Sequence, residues 1–257
     1  MFPWLSVLCA VLTILCLLMV ALYCNSLEEK RHNSAALEKT AASLCFCILG
    51  LIAVLRNPTS HTDVLIFIGL IFGMIGDVLL VFRYRYDKKD PRYFRWFASG
   101  TVAFLIGHLF YILAVFLMPE KSWLAIAVYT VIGFALTWRY TSRHHVDFGK
   151  RIMGGIIYLA FVVFMGACTF GAAMGGNSFP LWLFALGGLC FVFSDNMLVV
   201  NGFGAEYSLR RSNALHYLYW AAQLLIAFSI LLYIIAIIIL TIISQRLQSN
   251  SKRIGRY

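Results

Sequence analysis

Eight apolar runs, each near the length a bilayer demands, constrain this chain more than any other feature. They fall at about 3–24, 39–56, 62–82, 94–118, 122–141, 151–173, 180–200 and 214–243. The hydrocarbon core of a membrane takes roughly 20 apolar residues of helix. The expected fold class is therefore all-α: a polytopic membrane protein with eight transmembrane helices, forming a single integral membrane domain over residues 1–257. Composition agrees, with 61% hydrophobic and 12% charged residues and a mean hydropathy of +0.83. The first run has no positively charged start and no small-residue cleavage site, and more spans follow it, so it reads as a helix rather than a signal peptide.

The 7 cysteines lie inside the runs without a Cys-x-x-Cys pair, which supports neither a disulfide framework nor a zinc knuckle. A net charge of +10 invites a nucleic-acid reading, but the cations sit in short loops between spans. The positive-inside rule explains them, and nucleic acid is excluded as a partner. Of the 21 Lys and Arg residues, 15 fall on the side of loops 1–2, 3–4, 5–6 and 7–8. Those basic loops are expected to be cytoplasmic, with both termini outside. The tail, with Arg246, Lys252, Arg253 and Arg256, pulls the other way.

Two aspartates interrupt the apolar runs. Asp77 stands in Gly-Leu-Ile-Phe-Gly-Met-Ile-Gly-Asp-Val-Leu-Leu-Val, and Asp195 in Gly-Leu-Cys-Phe-Val-Phe-Ser-Asp-Asn-Met-Leu-Val. An ionisable side chain inside a membrane helix costs about 2.5–3.5 kcal/mol on insertion scales, so it marks a function or a bond that locks helices together. Both lie about five residues from the basic-side end of their runs, roughly 8 Å deep at 1.5 Å per residue. That is the depth at which a lipid head meets its chains.

The halves 1–118 and 122–243 resemble diverged copies, each with a small residue, Asp, any residue, Leu or Met, Leu, Val. His-x-x-Tyr follows in each, as His108/Tyr111 and His216/Tyr219. A unit of four spans repeated once gives parallel repeats, with a site at their interface. Gly69, Gly73 and Asp77 share one helical face, so a neighbouring helix approaches closely beside the carboxyl. His216, Tyr219 and Gln223 share a face of the eighth run, and Gly100, His108 and Tyr111 one of the fourth.

These residues, with Lys39 at the mouth of the second helix, carry a resemblance to the YhhN-like lysoplasmalogenase family of eight-span membrane proteins. The similar stretches are those around Asp77 and Asp195, Phe-Leu-Ile-Gly-His-Leu-Phe-Tyr-Ile-Leu-Ala around His108, and Tyr-Trp-Ala-Ala-Gln-Leu-Leu-Ile around Gln223, in order across residues 69–226. At the second helix the chain departs from the pattern, with Lys39 followed by Thr40 where Lys-Pro is expected. The resemblance implies hydrolysis of the vinyl ether of a lysoplasmalogen to a fatty aldehyde and glycerophosphoethanolamine or glycerophosphocholine, without a cofactor. The implied partners are that lysophospholipid and the bilayer.

Such chemistry needs an acid, a negative charge beside an oxocarbenium ion and a base for water. Asp77 and Asp195 suit it as a close pair sharing one proton. His108, Tyr111, Tyr219 and Gln223 are expected to orient the carboxyls or hold water. Lys39, Arg83 or Arg85 are expected at the substrate phosphate and Asn201 at the glycerol or head group, around a cavity open toward the basic loops. Simpler readings stand beside each: an aspartate that only bonds a Tyr or His, cations that only snorkel, tyrosines that only join helices. Three other functions fit the sequence less well. A zinc hydrolase lacks a His-x₃-His or His-Glu-x-x-His pair, an intramembrane aspartyl protease lacks the Tyr-Asp and Gly-x-Gly-Asp pairing, and a lipid or proton-coupled carrier would place its carboxyls at the midplane.

Overall fold

Every apolar run forms a helix. The computed structural model describes the backbone of residues 3–87 and 89–254 and the side chains of 4–87 and 89–232. The helices are α1 (Pro3–Glu28), α2 (His32–Arg56), α3 (His61–Phe82), α4 (Pro91–Leu117), α5 (Trp123–Arg143), α6 (Ile152–Gly176), α7 (Phe179–Phe203) and α8 (Leu209–Ile254), with single 3₁₀ turns at Arg83–Arg85 and Gly149–Arg151. No strand occurs among the described residues. All eight helices are long and apolar enough to cross a membrane, α8 over Leu209–Leu232. The protein is an integral, multi-pass membrane protein. The basic tail lies outside the described side chains.

Helix ends follow local chemistry. Ser60 and Ser122 accept the backbone N–H groups of Asp63 and Ala125 at 3.3 and 3.2 Å, and Asp90 accepts that of Arg92 at 2.8 Å just before Pro91. Each satisfies a donor that the first helical turn leaves free. Asn177 closes α6 in the left-handed region, at φ 41°. One boundary differs consequentially from the sequence expectation: α2 begins at His32 rather than near residue 39. Its first two turns are polar yet helical, because Glu38 accepts the Ser26 hydroxyl at 3.0 Å and ties them to α1. Lys39 therefore lies seven residues inside its helix, about 10 Å from the end.

In a bilayer, apolar burial gives helices no reason to associate, so close packing and interhelical hydrogen bonds hold the bundle together. α3 runs along α4 and α7 along α8, while α2 packs on α8 and α4 on α6. α1 and α5 are peripheral and turn exposed Ile14, Leu18, Val131 and Trp138 outward, as lipid-facing surfaces do. The expected glycine face is used at two points. A Cβ on Gly69 would overlap the Tyr111 ring, and one on Gly73 the Gln223 amide. Absent those side chains, polar groups of α4 and α8 reach the middle of α3.

Candidate active site

Asp77 is wholly buried and receives three groups from two other helices. The α2 hydroxyl of Ser43 donates to Oδ2 at 2.5 Å, and the α8 hydroxyl of Tyr219 donates to the same oxygen at 2.7 Å. Lys39 Nζ lies 3.1 Å from Oδ1. Lys39 and Ser43 are one turn apart, on one face of α2, which is why a single helix supplies both. The Lys39 ammonium also sits over the rings of Tyr23 and Trp220, at 5.4 and 5.7 Å. A buried ion pair is held only when its remaining charge is satisfied, and hydroxyls and aromatic faces do that here.

Asp195 has a different shell. Its Oδ2 accepts the hydroxyl of Tyr158, on α6, at 2.9 Å and lies 3.3 Å from Nε2 of His108, on α4. No Lys or Arg pairs with it among the described residues. His108 is clamped edge-on by Phe191 at 5.0 Å, and its Nδ1 has no hydrogen-bond partner among the described residues. The Nε2 contact with Asp195 is therefore the hydrogen bond that positions this imidazole.

The two carboxyls share no hydrogen bond among the described residues. The Phe191 ring touches both shells, 5.0 Å from His108 and 5.5 Å from Tyr219. A chain of hydrogen bonds does leave the Asp77 side: Gln223 donates to Tyr219 at 3.0 Å and accepts the Tyr111 hydroxyl at 3.1 Å.

Of the proposed supporting residues, His108 reaches Asp195, and Tyr219 reaches Asp77. Gln223 and Tyr111 lie one and two bonds further on. Lys39 departs from its expected place. It belongs to Asp77 rather than to a substrate phosphate at the membrane surface, because α2 is longer than its apolar run. Asn201 is engaged in the α7–α8 turn, where it donates to Ser208 O at 3.1 Å and accepts Ser208 N and an Arg211 guanidinium N–H, each at 3.2 Å. Arg85 bonds Asn33 at the surface at 3.1 Å.

Arg83 is different. It lines a cavity of about 440 Å³ on the side of loops 3–4 and 7–8, together with Arg151, Asn201, Leu198, Leu215 and His216. Its guanidinium is buried, lies 4.8 and 5.2 Å from the rings of Tyr84 and Phe97, and donates to the Tyr84 hydroxyl at 2.8 Å. No carboxylate pairs with it among the described residues, and its Nε has no acceptor there. Leu198, one turn from Asp195, and His216, beside Tyr23 and Trp220 at 5.0 and 5.9 Å, line this cavity. His216 Nε2 also has no hydrogen-bond partner among the described residues.

Comparison with known families bears directly on this geometry. The model of the YhhN family matches residues 34–230, which span both carboxyls, both shells and Arg83. The chain belongs to the YhhN family. This family is named as lysoplasmalogenase-like, and membership supports a hydrolase of that kind at family level. No solved structure matches the chain. YhhN membership does not by itself say which residues act, so the roles rest on the shells described above.

Sequence reasoning missed Ser43, Tyr158, Tyr23 and Arg151. Ser43 had a usable signal, four residues after Lys39 in an otherwise apolar run. Tyr158 had one too, since it faces the same way as Arg151 seven residues earlier. Nothing in the sequence singles out Tyr23, an aromatic among many, as the wall of the Lys39 cage.

Proposed function

We propose that the protein hydrolyses the vinyl ether of lysoplasmalogens, and the observation that carries this reading is Arg83. A buried guanidinium without a carboxylate is costly unless an anion completes it. Here it faces a cavity over two membrane-buried carboxyls. A lipid phosphate is the anion found at that depth. Arg151, on the same cavity, adds a second cation.

In the reaction RO–CH=CH–R′ + H₂O → ROH + O=CH–CH₂–R′, a proton adds to the carbon distal to oxygen. Water adds to the resulting oxocarbenium carbon, and the hemiacetal expels the glycerol oxygen as the alcohol. The Asp195–His108 contact holds the transferable proton and Tyr158 orients the carboxyl. Asp77, as the carboxylate of the Lys39 pair, provides fixed negative charge toward the cation. After protonation of the carbon, the Asp195–His108 pair is one proton short and takes one from the attacking water, which restores it.

The test uses purified protein in detergent with a lysoplasmalogen and, in parallel, the saturated alkyl-ether lysolipid. Release of fatty aldehyde from the first alone is expected. Absence of aldehyde from the lysoplasmalogen contradicts the reading.

One observation favours a carrier instead. A second cavity of about 280 Å³, lined by Asp63, Glu120, Phe184 and Ser229, opens between loops 2–3, 4–5 and 6–7, on the opposite side. The Tyr219–Gln223–Tyr111 chain points toward it and ends at Phe184, 6.1 Å from the Tyr111 ring. Two cavities around a polar centre suit alternating access. Uptake of a labelled lysolipid into sealed proteoliposomes without aldehyde release would favour this reading.

A further inference from the structure

An apolar groove of about 230 Å³ lies between α4 and α6 and adjoins the cavity of Arg83, with Phe94, Phe97 and Phe203 lining both. Ala98, Thr101 and Leu105 line it from α4, and Gly154 and Tyr158 from α6, with Arg151 in the 3₁₀ turn just before it. Both sets follow the same i, i+3, i+7 spacing, so each side gives one continuous face to the groove. Arg151 marks the outer end, with its guanidinium 3.7 Å from the centre of the Phe94 ring. Tyr158 marks the inner end, and its hydroxyl is the one that bonds Asp195 at 2.9 Å. Seven residues of α6 separate the two ends, about 10 Å along the helix.

We infer that this groove takes the hydrocarbon chain of a single-chain, phosphate-bearing lipid, which enters sideways from the bilayer between α4 and α6, and that Gly154 keeps the passage open. Charge and continuity select this occupant. The groove has the Arg151 guanidinium at its outer end, adjoins the cavity of Arg83 across Phe94 and Phe97, and ends at Tyr158, whose hydroxyl bonds Asp195. It is also open: a Cβ built on Gly154 meets nothing within 4 Å. A larger residue there fills the groove without displacing a neighbour. The inference rests on the hydrolase reading for the identity of the head, but its geometry is tested by binding alone.

The experiment uses the full chain in lipid nanodiscs, with a saturated hexadecyl-ether lysophosphatidylethanolamine carrying a diazirine in its chain, and adducts mapped by mass spectrometry. Adducts are expected on residues 98–105 and 154–158. Excess unlabelled ether lysophosphatidylethanolamine should remove them, and the corresponding alkyl glycerol, lacking the phosphate, should not. Gly154→Trp should reduce these adducts about tenfold or more, the loss expected when two or more methylenes leave an apolar contact. The competition measured on the wild-type chain decides the matter even if that variant does not fold. Adducts spread evenly over the lipid-facing sides of α1 and α5, or removed equally by the alkyl glycerol, overturn the inference. If the wild-type chain releases aldehyde but carries its adducts elsewhere, the groove assignment is wrong and the hydrolase reading stands. Competed adducts in the groove of a protein that releases no aldehyde support the groove and remove the hydrolase.

Discussion

Asp77 and Asp195 occupy matching positions in the two quartets α1–α4 and α5–α8, yet their surroundings do opposite things. Each is bonded by the second helix of its own quartet and the last helix of the other: Asp77 by α2 and α8, Asp195 by α6 and α4. Where α2 supplies the Lys39 ammonium, α6 supplies the Tyr158 phenol. Asp77 has an ammonium 3.1 Å away inside a closed cage. Among the described residues, Asp195 has only a phenol and an imidazole beside it. Under the proposed hydrolase reading, one scaffold position serves two purposes, a field on one side and an exchangeable proton on the other.

The comparison breaks most visibly at Asp195. Asp195→Asn is expected to lower kcat by about 10²–10⁴-fold, the usual size of a general acid–base contribution, while its melting temperature in detergent stays near wild type. An activity within tenfold of wild type would place the exchangeable proton elsewhere. The counterpart on the other side is a stability effect. Lys39→Met leaves Asp77 buried without its cation and is expected to cost about 3–5 kcal/mol, read from denaturant unfolding in mixed micelles. Lys39→Met/Asp77→Asn should recover most of that loss yet remain inactive. If the double variant is no more stable than Lys39→Met, the ion pair is not what Lys39 is for.

Smaller effects sharpen the contrast. Tyr158→Phe removes one bond to Asp195 and should lower kcat about 10–100-fold, in line with ~1.5–3 kcal/mol for a hydrogen bond to a charged group. Its cost in stability should stay below ~1.7 kcal/mol, the upper end for interhelical bonds in membranes. A large loss of stability with unchanged kcat would make Tyr158 a structural tie. The smallest effect is expected at Gln223→Leu, about 0.6–1.7 kcal/mol in unfolding, with kcat changed only a few-fold. It lies two bonds from Asp77, beyond Tyr219, and a loss as deep as that of Asp195→Asn would extend the site along the Tyr219–Gln223–Tyr111 chain.

Much of this architecture was legible in the sequence because bilayer thickness writes itself into run length, and because a carboxyl in an apolar run is conspicuous. The eight spans and the two intramembrane carboxyls followed from those two facts, and helical spacing added His108 and Tyr219 as their neighbours. What failed to show was anything set by helix rotation and by polar helix beyond the membrane. Lys39 looked like a surface cation because α2 continues for two polar turns that hydropathy cannot see. Phe191, which touches both shells, is one of 21 phenylalanines and carries no distinguishing mark. The use of Asn201 in a turn depends on Ser208 and Arg211, whose placement no spacing rule gives.

The central claim is that the lipid is opened by proton addition to carbon, and hydrolysis of a lysoplasmalogen in deuterated, heavy-oxygen water tests it most directly. The products are trapped by immediate reduction of the aldehyde and weighed by mass spectrometry. The account expects one deuterium on the carbon next to the former carbonyl and no heavy oxygen in the glycerophosphoethanolamine. Heavy oxygen in the glycerol product would mean that water had displaced the chain oxygen at the glycerol carbon, and the carbon-protonation mechanism would be wrong.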